Sequence, residues 1–175
     1  MKSVDGLCTD VPGVTLVTYY ADCVPLFFLD PVHRAVGLAH AGWRGTVKRI
    51  GEAMVQKMQA EFDSCPQEIL AAVGPSIGRC CYEVDQPVAG QFLALSDLNP
   101  RDFVHPGEKQ GKYMLDLWEC NRRVLVSAGI LAENITVAQV CTRCNAEWLF
   151  SHRATGGKRG GLAAMIAVKE EEIEK

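Results

Sequence analysis

ADC at residues 21–23 and AHAGWRG at residues 39–45 bound the stretch that decides the fold. Two apolar runs, residues 24–29 and 35–39, lie between them and flank the turn-forming sequence DPVHR at residues 30–34. Short apolar runs on either side of such a turn predict the two strands of a β-hairpin. The two motifs would then meet at the open end of that hairpin.

The hairpin brings together two residue types that commonly do chemistry. A turn centred on Pro31 and Val32 would make Cys23 and His40 cross-strand neighbours, ~5 Å apart between Cβ atoms. A thiolate beside an imidazole suits either two of the three protein ligands of a catalytic zinc ion or a nucleophile with its general base. A core cysteine and a hydrogen-bonded core histidine are the alternative without chemistry.

The residues after His40 predict an anion-binding corner. Gly42 and Gly45 flank Trp43 and Arg44, and Thr46 is expected to cap the helix that follows. A glycine turn that leads into a helix exposes backbone N–H groups and the positive end of the helix dipole. The Arg44 guanidinium adds a planar fork suited to phosphate. An ordinary glycine turn is the alternative interpretation.

Hydrophobic periodicity and breaker residues predict the elements of the remaining chain. Their order does not give a regular parallel alternation, so we expect an α/β (α+β mixed) fold, a layered sandwich of mixed β-sheet with helices packed on it, in a single domain over residues 1–175. The predicted strands are residues 14–20, 69–73, 135–140 and 162–168, and residues 99–112 are predicted to be a surface loop. The predicted helices are residues 46–62, residues 85–95 with Pro87 in the first turn, and a third that is capped by Asp116 and stopped by Gly129.

Composition limits the classes of partner. The net charge is −3 and the sequence pI is about 5.8, which argues against nucleic acid or an anionic membrane surface as the main partner. No apolar run approaches the ~18 residues of a membrane span, and the first residues lack the pattern of a signal peptide. The 8 cysteines stand largely in apolar contexts, so reduced thiols and a cytoplasmic location are expected.

Two cysteine pairs stand outside the hairpin. Cys141 and Cys144 have C-x-x-C spacing, but no second such pair accompanies them, which favours a structural or incidental role. The adjacent Cys80 and Cys81 are not expected to bind one metal ion together, and we expect them to pack beside Tyr82.

Arg153 begins a second basic and glycine-rich stretch, residues 153–161. Successive backbone N–H groups and cationic side chains there would suit a second anion-binding loop near the first. A flexible basic loop without a ligand is the alternative.

Several motifs are spread over nearly the whole chain. They are Asp5-Gly6-Leu7, ADC with AHAGWRG, Gly74-Pro75-Ser76-Ile77-Gly78, Cys81-Tyr82-Glu83-Val84, Cys141-Thr142 and Phe150-Ser151-His152-Arg153. Together they resemble the purine nucleoside phosphorylase family formerly called laccase-domain or polyphenol oxidase proteins, for which HAGWRG beside ADC is specific. That family has an N-terminal portion with a Gln-Val-His-Gly-type motif upstream of the Asp-Gly, and this sequence is expected to lack that portion.

The resemblance implies a site and a reaction. It makes Cys23 and His40 zinc ligands and places a third ligand, a histidine, in the N-terminal portion. It implies an α/β sandwich with mixed sheets, phosphorolysis of adenosine, inosine and methylthioadenosine, and deamination of adenosine. Phosphorolysis needs an oriented phosphate, for which Arg44 and the glycine corner are candidates. Arg153 matches a family motif and is a second candidate.

Other functions stay open at this stage. Cys23 and His40 could form a cysteine hydrolase, with N–H groups of residues 42–45 as its oxyanion hole. Copper is an alternative metal and polyphenol oxidation an alternative reaction, although the 4 histidines are few for multicopper chemistry. An inactive truncated module that binds a ligand or partner is a further alternative. The resemblance and the polar, glycine-rich ends of the chain also suggest a homodimer.

Overall fold

The computed structural model describes residues 4–170. The strands are β1 (Gly6–Thr9), β2 (Thr15–Tyr20), β3 (Val24–Asp30), β4 (Ala35–Ala41), β5 (Leu70–Val73), β6 (Glu83–Asp85), β7 (Val104–Pro106), β8 (Lys112–Leu115), β9 (Ile135–Val137) and β10 (Leu162–Ala167). The helices are α1 (Trp43–Val47), α2 (Ile50–Phe62), α3 (Gln86–Leu93), α4 (Leu117–Ser127) and α5 (His152–Thr155).

The strands form three sheets around the predicted hairpin. The five-stranded sheet has the order β1-β4-β3-β5-β9, and its β5–β9 pair is parallel while its other pairs are antiparallel. Strands β10 and β2 pair in a second sheet, and β6, β8 and β7 form a third. The expected mixed sheet is therefore confirmed.

Both faces of the central hairpin are covered. Leu26 and Phe28 belong to a core that includes residues of α2 and α4. Val36 and Leu38 point to the opposite side, where they pack against the β2–β10 sheet. Because side chains alternate along a strand, one hairpin joins two cores. The expected layered sandwich of sheets and helices is confirmed.

The predicted register of the hairpin is wrong by two residues. His40 pairs with Pro25, not with Cys23, and Val24 is the residue opposite Ala41. The turn is centred one residue later than predicted, because Asp30 still belongs to β3 and pairs with Ala35. A shift of two positions in pairing preserves the face of every side chain, so Cys23 and His40 still point to the same side of the sheet.

The helix predicted over residues 46–62 is two helices. Gly42 is the N-cap of α1, so Thr46 is not the capping residue but lies buried inside that helix. Its hydroxyl donates to the carbonyl of Ala41 at 3.3 Å. Arg49 then adopts a left-handed conformation, φ 56°, which interrupts the helical hydrogen bonding before α2 begins.

The later predictions are confirmed except for one loop. Helix α3 has Pro87 in its first turn, and the Asp116 carboxylate accepts the N–H of Glu119 at 3.0 Å as the cap of α4. The predicted surface loop at residues 99–112 contains strand β7, which ends at Pro106. This strand lies at the edge of its sheet, where a proline is tolerated. No helix within residues 4–170 combines the length and apolar character needed to cross a membrane.

Asp30 closes the hairpin turn with a fully buried carboxylate. Its Oδ1 accepts the N–H groups of Val32 and His33 at 2.9 and 3.0 Å, and its Oδ2 lies 2.8 Å from His33 Nδ1. Burial opposes ionisation, but hydrogen bonds, including those from His33 and Val32, outweigh it and lower the pKa of Asp30.

We expect Asp30→Asn to lower the free energy of unfolding by about 1–3 kcal/mol at neutral pH, because an amide offers one oxygen acceptor where the carboxylate offers two. The lowered folded-state pKa means that the stabilisation is present above the unfolded-state pKa of about 3.9 and is lost as the pH falls through the folded-state value. Urea unfolding of the wild type and of Asp30→Asn should therefore show that the difference between their free energies of unfolding is smaller at acidic than at neutral pH. Asp10→Asn, at an exposed carboxylate, is the control. A gap that is independent of pH would contradict this role.

Candidate functional site

Cys23 and His40 converge on the backbone of Gly42. A Cβ atom placed on Gly42 would lie 3.2 Å from the sulfur of Cys23 and 3.8 Å from Nε2 of His40. A side chain at this position would crowd both donor atoms. Glycine therefore keeps open the space that the thiol and the imidazole share.

The His40 ring lies beside two neighbouring side chains. Its Nδ1 lies 3.7 Å from Oδ1 of Asp5, and its edge meets the Tyr20 ring with 5.2 Å between centroids. The backbone N–H of His40 also donates to the carbonyl of Asp5 at 2.7 Å. Nε2 is thus the nitrogen that faces Cys23. Asp5 was not among the predicted site residues, although it belongs to the quoted Asp-Gly motif.

The donor types fit part of a zinc site. Thiolate sulfur and imidazole nitrogen are common zinc ligands, and a carboxylate beside the second ring nitrogen is the usual support for a ligating histidine. Within residues 4–170, no third cysteine, histidine, aspartate or glutamate joins Cys23 and His40 in a compact group of ligand atoms. The described residues therefore fit two protein ligands of a metal ion.

Two adjoining cavities meet at Cys23 and Trp43, which line both. The smaller cavity, about 210 Å³, is also lined by Asp5, His40, Gly42, Arg44 and Gly45. The larger, about 380 Å³, is lined by Ile77, Tyr82, His152, Arg153 and Arg159, among others. The structure therefore brings six of the seven predicted site residues to one cavity and places Arg153 in the cavity beside it.

Asp22 ties the floor of the larger cavity to three other segments. It has a left-handed backbone, φ 78°. Its carboxylate accepts the Thr142 hydroxyl and the Arg153 N–H, each at 2.6 Å. Its carbonyl accepts the N–H of Ile77 at 3.0 Å. The sequence indicated Asp22 only as a member of ADC, and these partners are too distant in the chain to be read from spacing.

The two arginines that are candidates for binding phosphate differ in their contacts with the protein. The Arg44 guanidinium lies over the Trp43 ring, 4.3 Å from its centroid, and Arg44 is exposed. Arg153 donates to the carbonyl of Glu83 at 2.9 Å and lies 5.3 Å from the centroid of Tyr82. Arg153 is thus held by a carbonyl and an aromatic ring, whereas the Arg44 guanidinium, among residues 4–170, packs on the Trp43 ring.

The Cys23 thiol is not activated by its surroundings. Burial raises the pKa of Cys23, and the negative charge of Asp22 raises it further, while Arg159 acts in the opposite direction. A free cysteine nucleophile requires a lowered pKa. A bound cation would favour the thiolate instead.

The structure brings the other two cysteine pairs together. The sulfurs of Cys80, Cys81, Cys141 and Cys144 lie within 4.8 Å of one another, a group that could bind a metal ion. This arrangement argues against the expectation that Cys80 and Cys81 do not share a metal ion, whereas a structural or incidental role for the C-x-x-C pair stays a prediction. Each pair is a weak signal alone, and the parallel pairing of β5 with β9 is what brings them together.

Comparison with known proteins identifies relatives over most of the chain. Residues 1–169 match a family described as multi-copper polyphenol oxidoreductase laccase. The purine nucleoside phosphorylase YlmD of Bacillus subtilis is 42% identical over 170 residues, covering 97% of this chain and 60% of the relative. The adenosine deaminase RL5, from an unknown prokaryotic organism, is 39% identical over 160 residues, covering 91% of this chain and 60% of the relative.

A solved structure agrees with the fold. The hypothetical protein YfiH of Bacillus licheniformis superposes with a TM-score of 0.90 at 42% identity, covering 95% of this chain and 62% of that one. The chain thus spans about three fifths of the length of these three relatives.

Proposed function

The chain belongs to the multi-copper polyphenol oxidoreductase laccase family, and on that premise we propose that it contributes the metal and substrate site of a zinc-dependent purine nucleoside phosphorylase with adenosine deaminase activity. The proposed substrates are adenosine, inosine and methylthioadenosine, with inorganic phosphate. The observation that carries this proposal is the convergence of Cys23, His40 and Arg44 on one cavity that adjoins a larger cavity with aromatic walls.

The names of the relatives support both halves of the proposal, one being a purine nucleoside phosphorylase and another an adenosine deaminase. The family description refers to copper and polyphenols. We favour zinc, because the cavity offers one thiol and one imidazole and the chain has only 4 histidines for several copper ions. Copper remains the alternative metal.

The larger cavity suits a nucleoside. Its volume of about 380 Å³ falls within the range of small-molecule sites. Trp43 and Tyr82 offer flat apolar surfaces on which a purine can stack. Arg153 and Arg159 place positive charge in the same cavity, and Arg44 does so in the smaller one. A nucleoside bound across the Cys23–Trp43 boundary would then reach both the metal ligands and the phosphate.

In this mechanism, zinc would supply a Lewis acid that makes water nucleophilic near neutral pH. Cys23 and His40 would hold the metal, with the Asp5 carboxylate 3.7 Å from the second imidazole nitrogen. Deamination adds water at C6 of the purine and releases ammonia. Phosphorolysis forms a bond from a phosphate oxygen to C1′ of the ribose as the bond to N9 breaks and the base leaves. Arg44 holds the phosphate in the attacking position.

A cysteine hydrolase is the second candidate, because the sulfur of Cys23 and Nε2 of His40 both lie beside Gly42. The raised pKa of Cys23 opposes it, because burial and Asp22 both disfavour the free thiolate. An inactive module that only binds ligand is a third candidate, and absence of turnover by the full polypeptide that the gene encodes would support it.

Alkylation distinguishes the first two candidates. We expect zinc to slow the reaction of Cys23 with iodoacetamide at least about 10-fold, because a metal-bound sulfur is no longer a free nucleophile, and a chelator should restore the rate. Modification is measured at each cysteine by peptide mass spectrometry. Cys65, which is exposed, serves as the internal control and should react equally with and without zinc. Rapid alkylation of Cys23 at a rate that does not depend on zinc would favour the cysteine hydrolase.

Other expectations stay predictions: a single domain over residues 1–175, a homodimer, a cytoplasmic location, and no nucleic acid or membrane as the main partner.

A further inference from the structure

Four cysteine sulfurs that the proposed function does not use lie together on the side of the molecule where β5 and β9 end. The sulfur of Cys144 is 3.5 Å from those of Cys80 and Cys81. With Cys141 included, all four lie within 4.8 Å of one another. Around a tetrahedral zinc ion with bonds of about 2.3 Å, neighbouring sulfurs are about 3.8 Å apart. The cysteine cluster therefore has the size of one four-coordinate ion.

A tight turn aims the adjacent pair at a common point. The N–H groups of Cys81 and Tyr82 both donate to the carbonyl of Gly78, at 2.9 and 3.1 Å. The chain thus bends through Cys80 and Cys81 instead of continuing as a strand, in which adjacent side chains point to opposite faces. This bend is why two neighbouring thiols can serve one ion.

The C-x-x-C pair approaches from a second turn. The N–H of Asn145 donates to the carbonyl of Cys141 at 3.2 Å. Backbone hydrogen bonds then join the two segments: Ser76 donates to Val140 at 3.2 Å, and Thr142 donates to Ser76 at 3.0 Å. The cluster is therefore held by the extension of the β5–β9 pairing and not by a chance approach of two surface loops.

A backbone donor and a cationic side chain lie at the cysteine cluster. The N–H of Gly78 donates to the sulfur of Cys141 at 3.3 Å. The Arg143 guanidinium also interacts with Cys81. Groups of these two kinds are the supports expected around a thiolate–metal site.

We propose that the cysteine cluster binds one Zn²⁺ as a closed structural site, separate from the Cys23–His40 site. Tetrahedral sulfur ligation is typical of zinc or of iron–sulfur clusters. The mutual closeness of all four sulfurs fits a single ion better than a body of several irons and sulfides. Four protein ligands leave no open position for substrate, so the ion stabilises structure and does not take part in the reaction.

The site would support the cavity through Asp22. The segment that leads to Cys80 and Cys81 donates the N–H of Ile77 to the carbonyl of Asp22. The segment that carries Cys141 donates the hydroxyl of Thr142 to its carboxylate. An ion that joins these segments would therefore fix two of the three hydrogen-bond partners of Asp22, the residue next to Cys23.

Cobalt substitution tests the proposal without an activity assay. The reduced, metal-free chain is titrated with Co²⁺, and we expect the visible bands of a tetrahedral ion with near-ultraviolet charge transfer from thiolate. Cys80→Ser and Cys144→Ser should weaken binding more than about 100-fold. Both residues are exposed, so the fold should survive, which circular dichroism checks. Cys65→Ser, also at an exposed cysteine, is the matched control and should leave the spectrum unchanged.

Metal content separates this site from the proposed catalytic one. We expect Cys23→Ala to retain one tightly bound zinc per chain by mass spectrometry, and the double variant Cys23→Ala with Cys144→Ser to lose it. If the double variant retains that zinc, or if the reduced Cys23→Ala chain gives no thiolate–cobalt spectrum, the cysteine cluster is not a zinc site. Loss of activity on its own would bear only on the proposed function. Amide hydrogen exchange of residues 74–83 and 138–150 should become faster when the zinc is removed.

Discussion

Cys23→Ala is expected to lower both adenine release and inosine formation from adenosine by at least about 10³-fold, a loss of roughly 4 kcal/mol of transition-state stabilisation. The physical reason is that alanine removes one of the two metal ligands that this cavity offers, which weakens binding of the ion. Both products are followed separately by chromatography, in the full polypeptide that the gene encodes. Zinc content is measured on the same samples.

Cys65→Ala is the matched control, since it removes an exposed thiol outside both cavities. His40→Ala should reproduce the loss of Cys23→Ala in both reactions and in zinc content. Cys23→Ala could instead abolish turnover and leave the zinc of the Cys23–His40 site in place. That result would mean that the thiol acts as a nucleophile, and it would support the cysteine hydrolase. Should both products form at the wild-type rate, the metal site lies elsewhere.

Arg44→Ala separates the two reactions. We expect adenine release to fall about 10- to 150-fold, because a charge-assisted contact to phosphate contributes about 1.5–3 kcal/mol. Inosine formation should change little, since water and not phosphate is the second substrate of deamination. The measurement is the phosphate dependence of both rates, which should show the Michaelis constant for phosphate rising.

Two variants sharpen the interpretation of Arg44. Arg44→Lys keeps the charge but not the planar fork, so a partial recovery is expected. Arg101→Ala removes an exposed arginine far along the chain and is the control. An equal loss in both reactions would make Arg44 structural, through its contact with Trp43, and would move the phosphate site to Arg153 in the larger cavity.

The sequence was most informative where chemistry and local pattern coincide. Apolar runs on either side of residues 30–34 predicted the hairpin, and the alternation of side chains was enough to place Cys23 and His40 on one face. The exact pairing was not predictable, because the Asp30 carboxylate moves the turn by capping it. The break between α1 and α2 at Arg49 was not predictable either, because the spacing of apolar residues continues across it.

What the sequence could not predict depends on long-range topology. Strands β6, β7 and β8 have three or four residues each, too few to show a period. Asp5 reaches His40 only because β1 pairs with β4. The cysteine cluster likewise joins two weak local signals, and the turn at Gly78 that makes Cys80 and Cys81 converge is set by contacts with distant backbone.

The parallel pairing of β5 with β9 also has a consequence for the order of folding. The hairpin of β3 and β4 closes over residues 31–34, whereas β5 and β9 pair across the whole segment from Val73 to Ile135. Closing so long a loop costs more chain entropy, so this pairing is expected to form after the hairpin. Cys23 and His40 would then meet early, while Thr142 and Arg153 could join Asp22 only once the last strand of the central sheet has docked.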